Sequence, residues 1–308
     1  MDAPIALIFF NRPEHTARVF AEIKKAKPRK LFLIADGPRQ NVPADAEKCA
    51  AARKIVTDVD WDCEVYRDFS DVNLGCGIRP ATGLAWVFSH ADRAIVLEDD
   101  CVPDQTFFRF CAEILARYRE DERVMHVAGN NFLQGRRFAD ASYYFSRHNI
   151  YLGGFATWAR AWQHYDIELK SWPSLRDTPW LEYTVGEPRG AAVWRRIFDA
   201  AHAAGKTASY SDYQWTFACW AQSGLSVIPA VELCRNIGFD GEATHRFGDD
   251  CPWRVKQTEP MTFPLVHPAC MTPNAEADLA FNECVLKAET RRQPKVYERL
   301  FHALPLSN

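Results

Sequence analysis

The sequence predicts an α/β fold in which a parallel sheet carries helices on both faces. Three observations support this. Short apolar runs alternate with amphipathic stretches through the first 130 residues. The intervals between those runs are long enough for crossover helices. A chain of 308 residues that is 47% hydrophobic and 25% charged can bury a large core, which excludes a disordered chain.

The elements follow in order. Residues 4–10 read as a buried strand, and Asn11 with Pro13 opens a helix that turns Val19, Phe20 and Ile23 inward. Lys30 to Gly37 form a second strand ending in Asp36-Gly37, a turn signal. A helix over 45–57, a short strand at 63–67, a loop at Asn73-Leu74-Gly75 and a helix over 80–90 come next. Arg93 to Leu97 form the fourth strand. Pro103 and Asp104 suit the start of the following helix, whose Phe107, Cys111, Ile114, Leu115 and Tyr118 share one face. A fifth strand at 123–128 completes the series. The second half is less regular and rich in Trp, with helical patterns at 156–165, 189–204 and 212–223 and strands at 149–152 and at Val227 to Pro229. Beyond 250, Pro, Thr and polar residues dominate, and no independent core is evident. The chain accordingly divides into 1–132, 133–248 and a C-terminal extension, 249–308, packed on the rest.

Composition excludes several functions. A net charge of −3 leaves no basic excess to neutralise a nucleic-acid backbone. No apolar run is long enough to span a membrane, although peripheral membrane contact stays open. The N-terminal run Ala3 to Phe10 lacks the basic head and cleavage site of a secretory signal. None of the ten cysteines forms a C-x-x-C pair, and they read as reduced thiols in a cytoplasmic protein. Cys111, Cys219 and Cys284 fall in helical patterns among apolar neighbours. Neither an ATP-binding P-loop, a dinucleotide glycine fingerprint nor a G-x-S-x-G elbow is present.

The chemistry concentrates at Glu98-Asp99-Asp100, directly after the fourth strand. In open α/β sheets ligands bind beyond the carboxyl ends of the strands. Three adjacent carboxylates repel one another unless a cation offsets them. Mg2+ and Mn2+ suit the task, because both prefer carboxylate oxygens and leave positions open for phosphate. The plainer alternative is an acidic turn in which Asp99 or Asp100 caps the next helix. Asp58, Asp60 and Asp62 precede a strand instead of following one, and Asp249-Asp250 lies in a polar tail; both are weaker metal candidates.

Glu98-Asp99-Asp100-x-x-Pro103-Asp104-x-x-Phe107-Phe108 resembles the metal-binding element of GT-A nucleotide-sugar glycosyltransferases. It is most similar to the inverting N-acetylglucosaminyltransferases with a Glu-Asp-Asp motif, and it also resembles bacterial sugar-nucleotide transferase-like proteins. Phe10-Asn11-Arg12-Pro13, Asp36 and the loop-helix at 73–90 occur in the matching order. The resemblance covers 4–132 well and 150–246 weakly. It implies a GT-A-like, Rossmann-type, mixed but mostly parallel sheet flanked by helices. Residues 1–132 would bind the nucleotide-sugar, and 133–248 would bind the acceptor and carry catalysis.

The resemblance also implies roles. Asp100 would ligate Mn2+ or Mg2+ at the diphosphate, Glu98 and Asp99 would face the nucleoside, and Asp36 would accept a hydrogen bond from the base or ribose. Arg12 would lie at the nucleotide edge or on a phosphate, and Arg79 is a weaker candidate for phosphate or base. Asp36-Gly37 as a plain turn and Arg12 as a solvated charge are the alternatives. Tyr210-Ser211-Asp212-Tyr213-Gln214-Trp215 resembles the aromatic-flanked acidic segment that supplies the base of inverting relatives, with Asp212 as that base; Ser211 stands where the family has a further acid. Asp212 or Ser211 could equally be a helix cap, and Glu182 and Glu187 are fallback bases. His245 would complete the metal or pyrophosphate site. Gly153-Gly154 permits close backbone approach to a ligand, and Trp158 would stack on a sugar or else pack in the core.

The expected activity is transfer of a sugar from a UDP-sugar to a carbohydrate or glycoconjugate hydroxyl, metal-dependent and inverting. A non-catalytic sugar-nucleotide-binding protein on the same fold is one alternative. A sugar-1-phosphate nucleotidyltransferase is another, although Phe10-Asn11-Arg12-Pro13 lacks the Gly-rich loop such an enzyme needs.

Overall fold

In the computed structural model, which describes residues 1–133, 135–138, 140–149, 151, 154–238, 255 and 257–291, the apolar runs become strands. These are β1 (Ile5–Phe9), β2 (Lys30–Ala35), β3 (Glu64–Phe69), β4 (Arg93–Glu98), β5 (Cys101–Pro103), β6 (Val124–Ala128), β7 (Tyr143–Ser146), β8 (Phe155–Trp158), β9 (Leu225–Pro229) and β10 (Cys234–Asn236). The first helices are α1 (Pro13–Ala26), α2 (Ala44–Ile55), α3 (Gly75–His90) and α4 (Gln105–Arg117). Short helices α5 (Ala159–Trp162), α6 (Trp172–Leu175) and α7 (Trp180–Val185) precede α8 (Pro188–Ala204), α9 (Asp212–Ala221) and α10 (Ala275–Arg291).

Eight strands form one sheet in the order β3-β2-β1-β4-β8-β6-β9-β7, and β5 pairs with β10 in a separate ribbon. β3, β2, β1 and β4 are mutually parallel, as is the pair β6–β9, while β8 runs antiparallel between β4 and β6 and β7 runs antiparallel to β9. The sheet is thus mixed and mostly parallel, with helices on both faces. Alternate residues of β4 feed two cores. Ile95 and Leu97 join Val19, Phe20, Ile23, Phe107 and Ile114, whereas Ala94 and Val96 join Leu84, Phe198, Trp215 and Trp220. Asp104 caps α4 by accepting the Thr106 N–H at 2.8 Å.

One expectation is corrected. Residues 155–158 are a strand, not the start of a helix: all four are buried, and Phe155, Ala156, Thr157 and Trp158 pair with Val96, Ile95, Ala94 and Arg93. Burial between two strands overrides the helical pattern, which survives only as α5. Beyond 250, α10 presents Ala277, Ala280, Phe281 and Val285 to the cluster that holds α8 and α9, so it shares that core and has none of its own among the described residues. Its Asp278 accepts from Ser146 Oγ and from the Arg147 N–H at 3.2 Å. Among the described residues no helix is long and apolar enough to cross a membrane.

Candidate functional site

Register places the site. In the β1–β4 pairing Ile8 lies opposite Glu98, so the loop Phe10-Asn11-Arg12 leaves the sheet beside Glu98-Asp99-Asp100. Asp99 ties the two chain segments together. Its Oδ2 accepts the Phe10 N–H at 3.1 Å, and its Oδ1 pairs with Arg12 Nη2. Arg12 Nη1 reaches Asp100 Oδ2 at 3.1 Å, so one guanidinium bridges both aspartates. Burial works against the charge of Arg12, but Asp99 and Asp100 outweigh it and hold the guanidinium firmly protonated.

The β5–β10 ribbon supplies the other wall, with Asn236 opposite Cys101. Asn236 Nδ2 donates to Asp100 Oδ1 at 3.2 Å, and the Cys101 thiol approaches the same oxygen at 3.4 Å. The Ile237 N–H donates to the Asp100 carbonyl at 2.8 Å, and the Gly238 N–H to Asn236 Oδ1 at 2.7 Å. Gly238 leaves room for this wrap: a Cβ there would overlap Asp100 Oδ2 and stand 3.0 Å from Arg12 Nη1, so the Arg12–Asp100 pair would have to shift. The sequence marks Arg235-Asn236-Ile237-Gly238-Phe239 only as the stretch leading to His245, with no individual role for Asn236 or Gly238. The only signal was an Asn-x-Gly turn after the last strand.

Burial, then Asp100 and Asp99, push Glu98 up to about 8; Arg12 opposes the shift and Asp212 adds to it. Burial also raises Asp99, against Arg12. Ligand atoms of Glu98, Asp100 and Cys101 all lie within 4.8 Å of one another. Two carboxylates at this separation suit a hard divalent cation, and among the described residues Asp100 Oδ2 has one polar partner, Arg12, where Oδ1 has two. Burial and the neighbouring carboxylates keep the Cys101 thiol protonated.

Asp212 arrives from the far end of the chain. It opens α9 after Ser211, where its carboxylate complements the helix dipole. The segment before it rests on the first turn of α3: Cys76 Sγ lies 2.8 Å from the Ser209 carbonyl, and a Cβ on Gly77 would overlap the Ala208 carbonyl oxygen. Burial pushes up Tyr151 and Tyr165, and the Asp212 charge adds to both shifts as it does to that of Glu98.

Other candidates are engaged elsewhere. Both oxygens of Asp36 are filled, Oδ1 by the Gly37 and Leu74 N–H groups at 2.9 and 2.8 Å, Oδ2 by Asn73 Nδ2 and the Gly75 N–H at 3.0 and 2.9 Å. Instead of offering an acceptor to a nucleoside, Asp36 anchors the loop that starts α3. Arg79 is buried, with Nε on the Ala35 carbonyl at 3.1 Å and Nη2 on Asp68 Oδ2 at 2.8 Å, so it clamps the ends of β2 and β3 together and does not face the acids. Glu187 caps α8 through the Arg189 and Gly190 N–H groups, and Glu182 stands 3.7 Å from Arg195. Asp58 and Asp60 pair with Lys24 on the surface. Trp158 is core, its Nε1 on the Leu115 carbonyl at 3.2 Å. His245, Gly153 and Asp249-Asp250 lie outside the described residues.

No family model and no curated protein matches this chain. Among solved structures it is similar to the mannosyltransferase PcManGT from Pyrobaculum calidifontis in complex with GDP-Man and Mn2+, at 11% identity and a TM-score of 0.36 over 70% of this chain and 69% of that one. It is also similar to mouse xyloside xylosyltransferase 1, at 12% identity and 0.34 over 80% and 85% of the two chains. UDP-glucose pyrophosphorylase complexed with UDP-glucose follows at 9% identity and 0.30 over 53% and 79%. The functional reading rests on the side chains of the site itself.

Proposed function

We propose that this chain is a nucleotide-sugar-dependent glycosyltransferase that uses Mn2+ or Mg2+ to move a sugar from a UDP-sugar to a hydroxyl of a carbohydrate or glycoconjugate, with inversion. One observation carries the reading. Glu98 and Asp100 converge at the carboxyl end of β4, with Arg12 bridging to Asp100 from the β1 loop.

Glu98 and Asp100 would hold the cation, which when bound offsets the charge of the departing diphosphate. Arg12 supplies a guanidinium able to bind two oxygens at once. Asp99 fixes Arg12 and the β1 loop. Asp212 would take the proton of the acceptor hydroxyl as it attacks the anomeric carbon, help that contributes about 10²–10⁴ in rate.

The test is a melting-temperature screen of UDP, GDP and ADP with and without Mn2+, followed by a donor-hydrolysis and transfer assay on wild type and Asp100→Ala. Binding to the native state raises the melting point, so UDP with Mn2+ should raise it most. Asp100→Ala should lose both the metal-dependent increment and transfer. A fully active Asp100→Ala chain, or no nucleotide response at all, overturns the reading.

A further inference from the structure

The Arg12 bridge has a consequence for cation binding that goes beyond the transferase reading while resting on its metal site. A carboxylate oxygen offers two lone-pair positions. At Asp100, Oδ1 already receives Asn236 Nδ2 at 3.2 Å and the Cys101 thiol at 3.4 Å. Oδ2 receives Arg12 Nη1 at 3.1 Å and is the oxygen against which the Gly238 backbone packs. Asp99 differs: its side chain is 3% exposed and receives both the Phe10 N–H and Arg12 Nη2. One end of the guanidinium is therefore locked to a buried partner, and the other rests on the more exposed carboxylate, at 12%.

We propose that Arg12 is an internal counter-ion and positioning residue, held permanently by Asp99 and competing with a divalent cation for Asp100 Oδ2. A guanidinium is a weaker ligand for that oxygen than a dication but cannot dissociate from the protein. It keeps the acids together, and when its Nη1 leaves Asp100 it carries a charge-assisted donor toward a diphosphate. The cation and the diphosphate are then coupled through Arg12, each favouring the state that the other binds.

The experiment titrates Mn2+ into the full chain by calorimetry, with and without UDP, for wild type, Arg12→Met and Arg12→Lys. Removing the competitor should tighten Mn2+ binding in Arg12→Met by about tenfold, equivalent to about 1.4 kcal/mol. The Arg12→Lys ammonium cannot bridge both aspartates, so its affinity should fall between the other two. UDP should strengthen Mn2+ binding in wild type by a larger factor than in Arg12→Met. A purely structural Arg12 would give variants that bind Mn2+ equally or more weakly, and that result overturns the proposal while leaving the metal site intact. If Arg12→Met does not fold, the same criterion applies to Arg12→Lys. If no chain binds Mn2+, the metal reading falls and takes this proposal with it.

Discussion

The acid corner and the aromatic layer between α8 and α9 are held by different forces. At the corner, Asp99 and Asp100 have partners on both carboxylate oxygens, drawn from the Phe10 N–H, from the adjacent Cys101 thiol and from the distant side chains of Arg12 and Asn236. Among the described residues before 129, only Arg53 Nε is a buried side-chain nitrogen or oxygen without a hydrogen-bond partner. In the second half both amide atoms of Asn149 and Gln214, both ring nitrogens of His148 and Trp194 Nε1 are buried with no hydrogen-bond partner among the described residues. There the rings do the holding: Phe198 lies 5.3 Å from Trp172 and Phe217, 5.5 Å from Trp194 and 5.8 Å from Trp220. Directional bonds set Asp99 and Asp100 to a fixed geometry, whereas ring packing, which is strong but less directional, holds the layer on which α9 carries Asp212. The halves should therefore fail differently.

The largest effect separates the two kinds of chemistry. Asp212→Asn keeps shape and removes the base, so kcat should fall by about 10²–10⁴. UDP and Mn2+ affinity, set at the corner, should stay within about twofold of wild type, a change of about 0.4 kcal/mol. Steady-state kinetics paired with calorimetry reads both. An equal loss of donor affinity would place Asp212 in the corner itself and dissolve the distinction. Next comes the hub of the aromatic layer. Phe198→Ala should cost about 3–5 kcal/mol and lower the melting temperature by roughly 10 °C for a chain of this size. Below that melting point, UDP binding with Mn2+ should survive. Its parallel loss would mean that packing in the second half also sets the corner.

The same distinction explains what could be read in advance. β1, β2 and β4 were legible because each is an apolar run, and α4 because Asp104 caps a clear apolar face. Glu98 to Asp100 stood out because position after a strand is a local property. Partners are not local: Arg12 meets its acids 87 and 88 positions away, and Asp36 meets Asn73 at a separation of 37. An Asp-Gly pair cannot reveal that its carboxylate is already saturated by another loop. β8 was missed because its insertion between β4 and β6 is a tertiary choice. The core face of α10 was overlooked amid the polar composition of that region, although Ala277, Ala280, Phe281 and Val285 have helical spacing.

A smaller test lies where the two halves touch. Gly77 allows the Ala208 carbonyl against the first turn of α3, four residues before Asp212. Gly77→Ala must move that segment, because backbone cannot yield as a flexible side chain does. Misplacement near 1 Å can cost about 10²-fold; a partial shift should lower kcat by about tenfold and leave Mn2+ affinity unchanged. Unchanged kcat would show that Asp212 is positioned by α9 packing alone.

The smallest effect concerns Glu232, which precedes the ribbon strand carrying Asn236. Its Oε2 accepts the Asn131 N–H at 3.1 Å, yet burial prevails and pushes the carboxyl up to about 7. The folded chain therefore binds a proton that the unfolded chain releases near pH 4.5. Stability from this group is fully present below about 4.5 and is lost as pH rises through about 7, after which the loss is constant. Discounted for partial exposure, the effect is about 1 kcal/mol, or roughly 2–3 °C in melting temperature. Glu232→Gln keeps a carbonyl oxygen for Asn131 and cannot ionise, so its melting temperature should gain on wild type between pH 5 and pH 8 by about that amount. A constant difference across that range would mean that Glu232 is solvated well enough to ionise normally. The ribbon would then meet the corner through hydrogen bonds alone, without a buried proton behind it.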